Sequence, residues 1–141
     1  MMKPTLLLRI AALISALFAA GHFAGGLQQW NPMGANPVFA SMTSQHFPVD
    51  GGSRSYLDLY LGLGWSTQVF LVLQTVILWM MASLARSDPA RVRPMIGAFA
   101  IATGIGGLVT WRFILLVPAI FSLVLFIPLA LAFVAARPAR H

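Results

Sequence analysis

The sequence predicts an all-α, polytopic membrane protein with four transmembrane helices in an antiparallel bundle, and three observations predict it. Hydrophobic residues make up 59% of the 141-residue chain and charged residues only 9%, far from the rough half and quarter of a soluble domain. Four apolar windows, residues 6–27, 56–84, 95–110 and 113–136, come close to or exceed the length needed to cross a hydrocarbon layer about 30 Å thick. No run alternates polar and apolar residues as a barrel strand would, so the backbone must satisfy its own hydrogen bonds in helices. The length fits one domain.

The first window begins with MMKPTLLLRIAALISALFAAG, a basic start followed by an apolar stretch and small residues, as in a signal peptide. Retention as a membrane helix is the expectation, because Arg9 interrupts the apolar stretch and the following residues continue as helix. Residues 28–55 form the only long connection. Pro32, Pro37 and Pro48 break regular structure there, while Trp30, Phe39, Met42 and Phe47 are too apolar for a freely solvated linker. The segment is read as a cap, with VFASMTSQHF as a short amphipathic helix across the bundle mouth.

The second window opens with RSYLDLYLGLGW, which carries Asp58 in its first turn. The third window is short, about 24 Å long at 1.5 Å per residue, with Pro94 at its start and Trp111 at its end near the two interfaces. Its GIGG, residues 104–107, follows no strand and is not a phosphate loop. Ala98, Ala102, Gly106 and Thr110 instead form a small-residue ladder suited to close helix packing. Thr110, Trp111 and Arg112 are left to make a tight turn into the fourth window. There Pro118 and Pro128 are each expected to remove a helical hydrogen bond and bend the helix.

Of the nine Lys and Arg residues, seven (Lys3, Arg9, Arg86, Arg91, Arg93, Arg137 and Arg140) fall on one side of the predicted bundle and two (Arg54 and Arg112) on the other. The positive-inside rule then places both termini in the cytoplasm, with the cap on the far side. The net charge of +6 lies at helix ends without interleaved exposed aromatics. Membrane lipid is therefore the expected partner and nucleic acid is not. With no cysteine, disulfides, thiolate catalysis and zinc-thiolate sites are excluded, and no cofactor or metal is expected.

Polar residues converge on the non-cytoplasmic end. His22 near the end of the first window and Asp58 near the start of the second sit at similar depth, and a hydrogen bond between them would lower the cost of placing either beside hydrocarbon. Asp58 has a simpler role open to it, as a cap on the helix start. Asp58, Gly62, Trp65 and Gln68 recur at helical spacing and suggest one polar stripe. Asp58, Trp65 and Gln68 of that stripe, with His22, Arg54, Tyr56, Tyr60 and Arg112, make up the candidate ligand-binding set, and His22 and Asp58 are the candidate catalytic pair.

The motifs GHFAGG, residues 21–26, and RSYLDLYLGLG, residues 54–64, resemble a family of small bacterial four-helix membrane proteins. In that family a Gly-His pair ends the first span and Arg-Ser-aromatic-x-Asp-x-Tyr-x-Gly opens the second. The resemblance marks Gly21, His22, Arg54, Ser55, Tyr56, Asp58, Tyr60 and Gly62 as signature positions and implies no activity. A looser similarity is to DoxX-like proteins and to the sterol isomerase and sigma-2 receptor group, which share four helices and an acid-containing cavity. The acid pairs of those proteins are missing here.

Three readings follow. The first is a bundle that binds a small amphipathic or lipid-like molecule in a pocket open to the non-cytoplasmic side. The second is a membrane enzyme using His22 and Asp58 as an acid/base pair on an isoprenoid- or sterol-like substrate. The third is a structural or accessory subunit, either a homo-oligomer or a partner of another membrane protein.

Overall fold

A computed structural model describes residues 2–27 and 34–137. Four of its helices are long and apolar enough to cross a membrane. The expected positions of Trp30 and Pro32 lie outside the described residues.

The first helix, α1 (Pro4–Gly21), continues into a wider π-helical turn, His22–Leu27. A short helix α2 (Pro37–Ser44) follows, then strands β1 (His46–Val49) and β2 (Gly52–Ser55), and then helices α3 (Tyr56–Leu84), α4 (Pro89–Phe113) and α5 (Leu116–Ala135). The chain forms two compact units. Met1–Ala19 with Leu71–His141 make a terminal unit, and Ala20–Phe70 a central one.

The terminal unit owes its cohesion to a core in which Leu8, Leu78, Val92, Ile96, Leu129 and Ala132 are wholly enclosed. Alanines dominate the rest of that core, at positions 11, 12, 82, 85, 100 and 136, so helix backbones approach closely and gain dispersion contacts. A polar contact ties α1 to α3 within this unit: the Thr75 hydroxyl is 2.9 Å from Ser15 Oγ and 3.0 Å from the Leu71 carbonyl. Large apolar side chains such as Leu17, Met80, Ile101, Leu123 and Phe113 face outward. A surface of that kind fits lipid better than water.

The α4–α5 seam is built from glycines. A Cβ on Gly97 would stand 3.0 Å from the Phe133 ring, one on Gly104 3.5 Å from Phe126, and one on Gly107 3.0 Å from Ser122 Cβ. Residue numbers thus rise on one helix as they fall on the other. Arg93 fastens the opposite end of the seam: its Nε donates to the Phe133 carbonyl at 3.2 Å and its guanidinium lies 4.0 Å from that ring's centre. The bond supplies a donor to one of the last-turn carbonyls that a helix leaves unpaired.

Several sequence expectations are corrected here. The third span is 25 residues, about 37 Å, rather than 16 residues. It starts at Pro89, with the Asp88 side chain accepting from the Arg91 N–H at 3.0 Å. Pro94 lies inside the helix at an exposed position. The bond it forfeits is to Ala90, near a helix end where water or headgroups can replace it. The turn into α5 falls on Ile114 and Leu115 rather than on residues 110–112. Pro118 sits in the first turn of α5, where its missing N–H has no intrahelical partner to lose. The ladder of Ala98, Ala102 and Gly106 is roughly half a turn of helix away from the glycine seam. A Cβ on Gly106 would meet nothing within 4 Å, so the ladder is not what brings α4 to α5.

Candidate functional site

Between Val49 and Gly52 the connection is Asp50-Gly51, a strong turn dipeptide. Gly51 has φ of 86° and Gly52 of 152°, both conformations that side chains disfavour. The two strands pair antiparallel, with Phe47 opposite Arg54 and His46 opposite Ser55. A hairpin therefore stands where the sequence suggested an irregular cap. The expected short helix is present in part, ending at Ser44 with His46 and Phe47 in β1: Asn36 Oδ1 accepts from the Phe39 N–H at 2.9 Å and starts the helix, whose Phe39 and Met42 share its more buried face.

Ser55 ends β2 and caps α3. Its hydroxyl accepts from the Asp58 N–H at 3.1 Å, while Asp58 Oδ2 accepts from the Ser55 N–H at 2.9 Å. This reciprocal capping box satisfies two backbone donors and places a carboxylate at the positive end of the helix. Replacing Ser55 with alanine is expected to cost about 1 kcal/mol. Hydrogen exchange should show it as faster exchange at the Asp58 amide and the rest of that turn.

Hairpin and helix enclose a cleft of about 340 Å³. The hairpin supplies Phe47, Val49 and Arg54, and α3 supplies Asp58, Leu59, Gly62, Leu63 and Ser66. Phe47 also packs on Tyr56, with ring centres 5.1 Å apart, which braces the wall. Arg54 Nη1 donates to the Ser53 carbonyl at 2.9 Å, holding the guanidinium with further N–H groups to offer. The result is a small apolar trough with one cation and one anion on its walls.

A second polar contact lies deeper along α3. His22 Nδ1 is 3.0 Å from Gln68 Oε1. With that oxygen accepting, Nδ1 carries the proton, and a neutral ring keeps Nε2 as an acceptor. Phe23 meets Trp65 edge-on, with centres 6.0 Å apart. A Cβ on Gly64 would come within 2.9 Å of Leu27, so the π-helical turn lies along α3 at that glycine.

The single polar centre expected from the sequence is thus resolved into separate places. Arg54 and Asp58 share the cleft, with Tyr56 bracing it. His22, Trp65 and Gln68 form the second group, and Tyr60 is exposed without lining the cleft. The expected hydrogen bond between His22 and Asp58 is not made: Asp58 bonds Ser55, and Gln68, the partner of His22, lies ten residues, or about 15 Å, further along α3. At about 100° per residue, Gln68 is also turned well away from the middle of the cleft face. The proposed acid/base pair is therefore not assembled. Arg112 belongs to the terminal unit, with its guanidinium 5.1 Å from the Phe113 ring centre. His46 Nδ1 lies 2.9 Å from the Ser44 carbonyl oxygen. Among the described residues no three potential metal ligands gather.

Sequence reasoning missed Phe47, Val49, Leu59, Leu63 and Ser66. The Asp-Gly turn between short apolar stretches was the signal for the hairpin that positions the first two. No family model matches the chain, and no curated protein or solved structure matches it.

Proposed function

We propose that this chain is a multi-pass protein of a bacterial inner membrane, an antiparallel four-helix bundle with cytoplasmic termini, which binds a small amphipathic molecule in the cleft between its hairpin and α3. The observation that carries the reading is the placement of Arg54 and Asp58 over an apolar floor of Leu59 and Leu63. A polar head that accepts from the guanidinium and donates to the carboxylate fits the walls, and a short apolar body fits the floor.

Native mass spectrometry of the protein purified in a mild detergent tests the reading. A discrete bound species is expected, and Gly62→Leu should remove it. A Cβ at Gly62 meets nothing within 4 Å, so a larger side chain there fills the cleft without displacing its neighbours. Arg54→Ala should weaken retention by about tenfold, the scale of one charged hydrogen bond. Bulk lipid alone, the same in all three proteins, would count against the cleft.

Orientation has its own test. Because the chain has no cysteine, single cysteines at Asp50 and Ser87 report cleanly. In spheroplasts an impermeant maleimide is expected to label the cysteine at 50 directly and the one at 87 only after permeabilisation. The reverse pattern would invert the proposed topology.

A further inference from the structure

The C-terminal half of α4 and the N-terminal half of α5 line an apolar groove of about 660 Å³ within the terminal unit. It runs from Ala100 and Phe126 to Trp111 and Leu116. Ala100 is close to the midpoint of α4, and beyond it the same two helices are sealed by Val92, Ile96, Leu129 and Ala132. The eleven residue steps from Ala100 to Trp111 rise about 16 Å, close to the thickness of one leaflet's hydrocarbon, about 15 Å. The groove is therefore one acyl chain deep. It stops where the bilayer midplane would fall.

Its open end has a chemical mark. Ile101, Ile105 and Leu108 form one rim of the groove, and Arg112 continues that ridge four residues on. Trp111, which lines the groove, stands beside it as an interfacial anchor would. The only Asp or Glu of the terminal unit is Asp88, 24 residues away at the other end of α4. Among the described residues of its unit no side-chain carboxylate can therefore reach the guanidinium.

We propose that this groove is a phospholipid site, with one acyl chain lying along the outside of the α4–α5 seam and the phosphate held by Arg112. An apolar slot one leaflet deep selects a chain that enters from the bilayer. A cation at headgroup depth selects the phosphate above that chain. The site is distinct from the hairpin cleft and does not depend on what that cleft holds.

The test uses the full chain in nonionic maltoside micelles, with Trp30, Trp65 and Trp79 changed to phenylalanine so that Trp111 is the sole tryptophan. Chain-brominated phosphatidylglycerol and chain-brominated diacylglycerol are titrated in as quenchers. Phosphatidylglycerol should reach half-quenching at about tenfold lower mole fraction, the scale of one charge-assisted hydrogen bond. Arg112→Ala should erase that difference while leaving the diacylglycerol curve in place. Ala119→Leu, which fills the groove, should weaken quenching by both. Equal quenching by the two lipids in the parent chain would overturn the proposal. So would the absence of quenching accompanied by disulfide crosslinking of Ile105→Cys between copies, which would mean that a second chain occupies the groove.

Discussion

Replacing Gly107 with leucine is expected to destabilise the α4–α5 pair by about 3 kcal/mol, the upper part of the usual range for overpacking. Its Cβ would stand 3.0 Å from Ser122 Cβ. Ser122 has little room to yield: it is buried, and its hydroxyl is bonded to the Pro118 carbonyl of its own helix at 3.1 Å. Both clashing atoms sit next to backbone, so the helices must separate. Separation is costly in a membrane, because close backbone approach supplies much of the attraction between helices already dissolved in lipid. Gly106→Leu is the matched control, since a Cβ there meets nothing, and it should stay within about 0.5 kcal/mol of the parent. Unfolding in mixed dodecyl sulfate and maltoside micelles would separate the two. Equal losses at both positions would mean that the seam is misplaced.

The second large effect is expected at Leu78, which is fully enclosed in the terminal core. Leu78→Ala should cost about 2 kcal/mol, the lower end of the range for soluble cores. The reason lies in the reference state. A separated helix remains in hydrocarbon, so truncation loses no transfer from water, only the contacts around the cavity it leaves. Val76→Ala, on a half-exposed outer position of the same helix, should change stability by less than about 0.5 kcal/mol. The same micelle titration reads both, and a comparable loss at Val76 would show that Leu78 is not sealed.

These two sites mark what the sequence could and could not convey. Helix α3 was legible from end to end, because its mostly apolar run from Tyr56 to Leu84 holds a single charge, Asp58 at its start, and Ser55 and Asp58 have capping-box spacing. The start of α4 was not, because Pro94 looks like a boundary unless Asp88 and Pro89 are read as an N-cap and first helical residue. The ladder at Ala98, Ala102 and Gly106 and the seam at Gly97, Gly104 and Gly107 are both small-residue patterns on one helix. Composition could not say which of the two faces α5. That depends on large partners, Phe126 and Phe133, whose register is set by the two-residue turn.

At the candidate site, Arg54 and Asp58 were legible as polar residues close in sequence at a helix start. The link from Asp58 to His22 was not, because similar depth leaves azimuth undetermined. Ten residues of α3 separate Asp58 from Gln68, which is enough to carry a polar side chain to another face. The hairpin escaped for a different reason. Pro48 in β1 and the apolar Phe47 and Val49 resemble an irregular cap and mask the Asp-Gly turn signal, which the positive φ at Gly51 and Gly52 makes plain.

Ser55 is both the final rung of the hairpin and the residue that closes the first turn of α3. No spacer separates strand from helix, so the joint has no slack in which to absorb a rotation. Tilting the hairpin tip at Asp50 would act as a lever on the first turns of α3, and a molecule that wedges the two apart would have to twist that helix or break the Ser55 bonds. Occupancy of so small a cleft would thereby become mechanical information, carried by a single serine into a helix long and apolar enough to cross a bilayer.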